Sequence, residues 1–569
     1  MNENSVFRRN NNISSGGDDL LRMLPSSLLA VAFVGFSHWL YQRKKFIEKI
    51  ERLPGPPLDA PGENRWLGHL APVFATRGQI PNCPSVPLSL PYFHNVCKRY
   101  PDIWRVWEFG PYRVFFARPD IMVTDPNLIQ QLLLDRTKSS KLIKERRFYR
   151  IVDALVGTSI LSLPDGPKWK HQRKMITPAF SQTFLEDANE TVAHLLYSEA
   201  FPWLLKEGGT TEVMEWSSRV ASEVLGLVAF SRSFDGFPDA SSDPQNSVSL
   251  FENTKILLTT MNHRSLSPPF IEWLPTKKNW QFAKARRQLN NIVSRIIRER
   301  LVEEDQLDTA TNSDTATDEK DGIRPLKRKD LLSYMMLKDE DGRRLSHQEL
   351  FGNVRMFLFA GHDTSASTLA YALWELASHP EMQERLRQEV DELFSKEPPP
   401  ESEDNMVIPA YKSIMQLQYL DAIVKETLRL HPPGVLGREA IEDITLEKDG
   451  GQTYMIPKGA SIYIAPYYTQ RLEPYFDHPE DFRPERFLNA DGRNSGMAMR
   501  NPSYYPFSIG PRNCVGEPLA IMEQKTVLVH LIRRFVIRPN AKGTSPLPVL
   551  MMTVKPNEVL LDFQSRCDR

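Results

Sequence analysis

Ten residues constrain this chain more than any others: Phe507-Ser-Ile-Gly-Pro-Arg-Asn-Cys-Val-Gly516. Proline and glycine make the stretch a loop, and the loop delivers one cysteine, Cys514. An apolar, helix-forming run follows at once, with Leu519, Ala520, Ile521, Met522, Val527, Leu528, Leu531 and Ile532. Cys514 therefore sits near a helix N-terminus, where free backbone N–H groups and the positive dipole end favour thiolate over thiol. Gly510 and Gly516 let the backbone turn tightly and approach something flat and bulky. Arg512 offers a cation to an anionic group, and Phe507 an apolar wall.

A lone thiolate on such a loop can be a nucleophile, a structural metal ligand or the axial ligand of a haem. A nucleophile wants a histidine base and an orienting partner. A zinc site wants further Cys or His at short spacing, and Cys83, Cys97 and Cys567 make no CxxC. Haem needs one protein ligand and open space on its other face. Taken alone, a cysteine in a turn is most often just a small buried hydrophobe. The whole decamer speaks against that. It resembles the haem-binding signature of the cytochrome P450 superfamily, Phe-x-x-Gly-x-Arg-x-Cys-x-Gly, at every fixed position. Many members carry Gly at the second position, where this chain has Ser508.

The resemblance implies a mostly α fold: one large helical catalytic unit with a small β-rich region, spanning residues 58–569. By length alone, 569 residues suggest two domains. Lysine plus arginine balance aspartate plus glutamate at 71 each, so no net basicity argues for nucleic acid. Four scattered cysteines do not make a disulfide framework, which fits a reducing compartment.

Residues 1–22 are polar and expected to be disordered. Met23 to Gln42 carries no formal charge, about the 20 residues that a membrane-spanning helix needs. Arg43, Lys44, Lys45 and Lys49 follow it, against Arg8, Arg9 and Arg22 before it, which predicts a single-pass anchor with the bulk in the cytosol. A signal peptide or a buried helix is the alternative, but no small-x-small cleavage site follows. Residues 43–57 read as a basic, proline-rich hinge, ending in Leu53-Pro-Gly-Pro-Pro57. In the family such a hinge orients the catalytic domain on the endoplasmic reticulum membrane.

Ile103 to Phe116 reads as a hairpin around Gly110-Pro111, and Asp125-Pro126 as a helix start. Residues 137–163 match nothing specific and resemble, by position, the variable loop over the substrate pocket. Trp169 and Arg173 share a helix face. The family uses this pair to bond a haem propionate, for which indole and guanidinium N–H groups are suited. Ser267 to Pro275 is an apolar, breaker-rich insert, either an ordinary loop or the region that dips into the membrane. Residues 303–329 are low-complexity and read as a solvated linker.

Ser346-His-Gln-Glu349 is a capping box, and a long helix is expected to run to about Ser378. Mid-helix come Ala360-Gly-His-Asp363-Thr364. Gly361 removes a side chain where a small ligand must sit. The Thr364 hydroxyl can bond the carbonyl one turn back, and Asp363 beside it can hold water and relay protons. The run resembles the superfamily's oxygen-activation motif. The fatty-acid ω-hydroxylase branch shares Gly-His-Asp-Thr, but many of its members carry a Glu before it that becomes esterified to haem. Ala360 here implies haem b held without that ester, covalent only at iron through Cys514.

Glu426-Thr-Leu-Arg429 precedes His431-Pro-Pro433, and Arg486 lies in Phe482-Arg-Pro-Glu-Arg-Phe487. These match the family's Glu-Arg-Arg structural lock. Arg438 matches a further propionate partner, and Val435 to Gly437 would border the substrate. The resemblance implies a membrane-anchored monooxygenase that inserts one atom of O2 into a hydrophobic substrate. Electrons would come from NADPH through cytochrome P450 reductase, with cytochrome b5 as an auxiliary donor. Trp169, Arg173, Arg438 and Arg512 would hold the propionates; Asp363 and Thr364 would serve proton delivery. The rivals are a family member that rearranges or dehydrates without outside electrons, against which Thr364 argues, and a haem carrier without turnover.

Overall fold

The computed structural model describes residues 26–56, 89–107, 119–206, 209–237, 250–265, 272–311, 330–397, 406–543, 545–551 and 553–566. The helices that position the site are α1 (Ser26–Glu51), α2 (Pro126–Leu133), α3 (Pro167–Ile176), α4 (Gln182–Leu195), α5 (Val213–Phe230), α6 (Lys277–Thr311), α7 (His347–Ser378), α8 (Pro380–Ser395), α9 (Gln418–Leu430) and α10 (Glu517–Arg534). The strands are β1 (Ile103–Trp107), β2 (Pro119–Val123), β3 (Leu142–Lys144), β4 (Thr210–Glu212), β5 (Leu436–Ala440), β6 (Ile444–Glu447), β7 (Thr453–Ile456), β8 (Ser461–Ile464), β9 (Phe535–Pro539), β10 (Pro548–Met551), β11 (Thr553–Pro556) and β12 (Leu560–Ser565).

Helix α7 is the spine. Most of its length is buried, polar residues such as Asn353, His362, Asp363 and Thr368 included. Both halves of the predicted capping box are present at Ser346 and Glu349. The largest core cluster joins α4, α5, α7, α8, α9 and α10 through residues such as Trp216, Leu369, Leu373, Ile423, Leu528 and Ile532. The sheets flank this helical body. The largest runs β1-β2-β8-β5-β3, with β2 and β8 parallel and the other neighbours antiparallel. A second runs β4-β12-β9, and β6-β7 and β10-β11 are hairpins.

Several expectations shift. Strand β1 pairs with β2, Ile103 opposite Val123, so the partner lies beyond the Tyr112–Phe116 run proposed from sequence. That run lies outside the described residues. Asp125 does open α2, its carboxylate accepting the N–H groups of Asn127 and Leu128. Helix α1 continues through the basic segment to Glu51, so residues 43–51 are helical and only the residues after it can act as a hinge. No described helix is long and apolar enough to cross a membrane. Residues 1–25 lie outside the described set, as do most of the apolar insert after Ser267 and residues 312–329 of the proposed linker. Residues 303–311 belong to α6.

Candidate active site

The cysteine loop is folded on itself. Cys514 N–H donates to the Phe507 carbonyl at 2.9 Å and Asn513 N–H to the Gly510 carbonyl at 3.0 Å. The turn needs left-handed backbone at Ser508 (φ 65°) and Gly510 (φ 78°). Gly510 meets that need without strain, and a Cβ there would come within 3.1 Å of Leu134 Cδ2. Ser508 meets it at a cost, and its hydroxyl is buried without a hydrogen-bond partner. This is the position where glycine is frequent in the resembling family.

Helix α10 begins at once, with Gly516 as its N-cap. The N–H groups of Gly516 and Glu517 point at the Cys514 sulfur, as the sequence implied. Burial nonetheless raises the thiol's pKa by more than these amides and the Arg173 charge lower it. The helix end alone thus does not make the thiolate. A coordinated metal ion would, because coordination strips the thiol proton outright.

Cys514 opens into a cavity of about 330 Å3. The loop and the start of α10 form one wall, with Phe507, Arg512, Cys514 and Gly516. Ala360, Gly361 and Thr364 of α7 form another. Leu161, Phe180, Val224, Leu225, Met356 and Phe357 make the rest largely apolar. Gly361 does a second job besides leaving space: a Cβ there would press on Leu225 Cδ1 at 3.3 Å, where α5 packs on α7. Thr364 Oγ1 donates to the Ala360 carbonyl at 2.7 Å, the back-bond expected from sequence. Asp363 is not among the lining residues. Its carboxylate accepts from the Thr553 hydroxyl and pairs with Lys555 Nζ at 3.0 Å, both on β11. Burial works against its ionisation, but Lys555 and the surrounding donors outweigh it and hold its pKa below the usual range.

Trp169 and Arg173 both line the cavity from α3. Arg173 donates through Nη1 to the Asn513 carbonyl at 2.8 Å and through Nη2 to Asn513 Oδ1 at 3.0 Å, gripping the cysteine loop. Arg512 stacks on the Trp169 ring at 3.9 Å. It donates to Asp165 Oδ1 at 2.6 Å and to the carbonyls of Ile160 and Leu163. Arg438 is buried on β5, set back from the cavity lining. Sequence reasoning missed its neighbours. Lys144 on β3 stands directly opposite Arg438. Burial, with the Arg512 and Arg438 charges beside it, pushes the Lys144 ammonium down to about 6. Lys144 fell in a stretch without a motif, and only strand pairing reveals it.

The remaining predicted residues lie apart from the cavity. Glu426 and Arg429 are wholly buried and paired as a fork, Nε to Oε2 at 2.8 Å and Nη2 to Oε1 at 2.9 Å. Arg486 Nε joins Glu426 Oε1 at 2.9 Å. Arg429 also donates to the carbonyls of Gln470 and Pro479 at 2.8 and 2.6 Å. Gln470, likewise unflagged by sequence, then accepts the Tyr505 N–H at 3.0 Å, two residues before the cysteine loop.

These walls fit a haem. One sulfur faces the cavity, and the nearest atom to a Cβ built on Gly516 would be that sulfur at 3.9 Å, so glycine keeps its surroundings clear. The crowd of Lys144, Arg438 and Arg512 has more positive charge than Asp165 answers, as the depressed Lys144 shows, and two carboxylates would balance it.

Comparison with known proteins agrees. The family model "Cytochrome P450" matches residues 87–561. The chain is 28% identical to "Cytochrome P450 4c21" of Blattella germanica over 92% of its length and 95% of the relative's. It is 31% identical to "Cytochrome P450 4V2" of Homo sapiens over 71% and 73%, and 30% identical to "Cytochrome P450 4F2" of Homo sapiens over 90% of each chain. With a cysteine loop, a threonine-bearing spine helix and a match across most of its length, the chain belongs to the cytochrome P450 family, as a haem-thiolate monooxygenase.

Proposed function

We propose that this protein hydroxylates, or similarly oxidises, a hydrophobic organic substrate, with electrons from NADPH through cytochrome P450 reductase and cytochrome b5 as auxiliary donor. The observation that carries this reading is the shared cavity: Cys514 opens into the same apolar space as Gly361 and Thr364. Haem held there supplies dioxygen activation, which a thiolate ligand promotes. Cys514 would be the protein ligand to the iron, Phe507 would wall that side of the site, and Trp169, Arg173, Arg438 and Arg512, with Lys144 beside them, would hold the propionates. Ala360 leaves no carboxylate at its position to esterify the ring, so haem b is held only through iron and non-covalent contacts.

Thr364 Oγ1 donates its one proton to the Ala360 carbonyl, so it relays a proton by turning away from that back-bond or by first accepting one at its oxygen. Asp363, held as a carboxylate by Lys555, can take up a proton and hand it on only when that pair opens. The apolar walls exclude water and select a greasy guest. Glu426, Arg429 and Arg486 hold the cysteine loop's platform and take no part in the chemistry.

The same reading anchors the chain in the endoplasmic reticulum membrane through the segment 23–42, with the catalytic domain cytosolic. Exposed Val31, Phe33, Val34, Phe36 and Trp39 on α1 support it.

The test is a screen of fatty acids, sterols, terpenoids and drug-like compounds for spectral displacement of iron-bound water, followed by reductase-dependent turnover. A hit oxidised in proportion to NADPH consumed supports the reading. Conversion that needs no NADPH contradicts it and points to a rearrangement. Spectral binding without turnover in any case contradicts it too.

A further inference from the structure

Arg355 on α7 is a buried cation that no function above uses. It is 8% exposed, and its Nε and Nη2 have no hydrogen-bond partner. Its guanidinium carbon lies 5.6 Å from the ring centre of Phe351, one turn back along the helix. The charged group that bears on it is another cation, Arg286 of α6. Burial and that like charge hold the guanidinium down at about 10, so it is still charged at neutral pH. Buried charges in native proteins are paired, because an unanswered one is costly. Arg355 also faces away from the cavity. Met356, Phe357, Ala360, Gly361 and Thr364 line that space. With about 3.6 residues per turn, they share one side of α7 and Arg355 lies on the other. Phe282, Ala285 and Leu289 of α6 join Leu350, Val354 and Leu358 of α7 in one apolar cluster, so the cation is caught where two helices pack.

The two unpartnered atoms name the ligand. Arg429 grips the Glu426 carboxylate with the same pair, Nε to one oxygen and Nη2 to the other. Arg355 presents that edge, and no acidic side chain among the described residues meets it. We propose that the Nε–Nη2 edge of Arg355 binds a small organic carboxylate between α6 and α7, with Arg286 adding a second positive charge. Two parallel N–H···O bonds match the two oxygens of a carboxylate, whereas chloride offers a single centre. Arg286 is exposed, so the ligand meets it first on the way in from solvent. Once bound, the carboxylate answers both cations and fastens α6 to α7. The site is separate from the cavity at Cys514 and does not depend on the monooxygenase reading.

The test follows the denaturant midpoint of the full-length, haem-loaded protein at neutral pH and fixed ionic strength, in acetate or propionate against chloride. The midpoint is expected to rise with carboxylate concentration, as binding to the folded state requires, and to stay level in chloride. Resonance broadening of isotope-labelled acetate measures the binding directly. Its affinity should be about ten-fold weaker in Arg355→Lys, which keeps the charge but loses the fork. Arg286→Gln, at an exposed position, should weaken it a few-fold and leave the fold intact. Arg355→Met should abolish both responses. Without carboxylate it should be at least as stable as the wild type, because no buried charge is left unanswered. Equal responses to chloride and acetate overturn the proposal. So does acetate binding that is unchanged in Arg355→Lys and Arg286→Gln, two variants that decide the matter even if Arg355→Met does not fold.

Discussion

Arg429 donates to the Gln470 carbonyl at 2.8 Å, and Gln470 in turn receives the backbone N–H of Tyr505. The buried lock and the cysteine loop therefore share one residue. Gln470 Nε2 also donates to the carbonyls of Leu428 and Arg429, so its side chain closes the connection from both ends. Replacing Gln470 with Ala orphans those buried groups, at about 1–3 kcal/mol for each unsatisfied one. The expected result is a folded protein that loses haem faster, read as the rate of haem transfer to an apo-acceptor.

Removing the Glu426 carboxylate leaves Arg429 buried with its charge unanswered. Breaking one side of such a pair costs about 3–5 kcal/mol. Glu426→Ala should yield little holoprotein, measured as haem per polypeptide, whereas a change at the exposed pair Lys396–Glu392 should leave that ratio unchanged.

Ser508 holds a left-handed backbone with a buried, partnerless hydroxyl. Ser508→Gly relieves both and should raise stability by about 1–2 kcal/mol, seen as a higher denaturant midpoint of the holoprotein. Gly510→Ala should act in the opposite sense, since its φ is 78° and the added Cβ meets Leu134 and Leu133.

Asp330 caps the helix Leu331–Met336 and pairs with Arg300, Nη1 to Oδ1 at 2.9 Å and Nη2 to Oδ2 at 2.5 Å. Burial opposes its ionisation, but Arg300, Ser231 and the Ser333 N–H outweigh burial and lower its pKa. A folded pKa below the unfolded one gives stability that is present above the unfolded value and lost as pH falls through the folded value. At neutral pH, Asp330→Asn should be less stable by about 3 kcal/mol. The two proteins should converge in acid, as denaturation midpoints followed against pH would show.

What the sequence disclosed was local. The spacing of Phe507, Gly510, Arg512 and Cys514 is a loop motif, and the Ser346–Glu349 box spans one helical turn. Glu426 and Arg429 share a face because they are three apart on α9. What it hid was long-range. Lys144 meets Arg438 only because β3 and β5 pair in one register. Asp363 is drawn to Lys555 by the seating of β11 against α7, which no spacing along α7 announces. Burial was hidden too. The helix end pointed to a thiolate at Cys514, yet enclosure by the cavity walls pushes the free thiol the other way. The hairpin partner of β1 was misplaced because alternation marks a strand but not which strand it pairs with.

The most direct test replaces Cys514 with Ser and records the carbon monoxide difference spectrum of the reduced protein. The wild type is expected to give the red-shifted band of a thiolate-ligated haem, and Cys514→Ser to lose that band whether or not it retains the porphyrin. A thiolate-type band surviving in Cys514→Ser would contradict the assignment of this sulfur to iron.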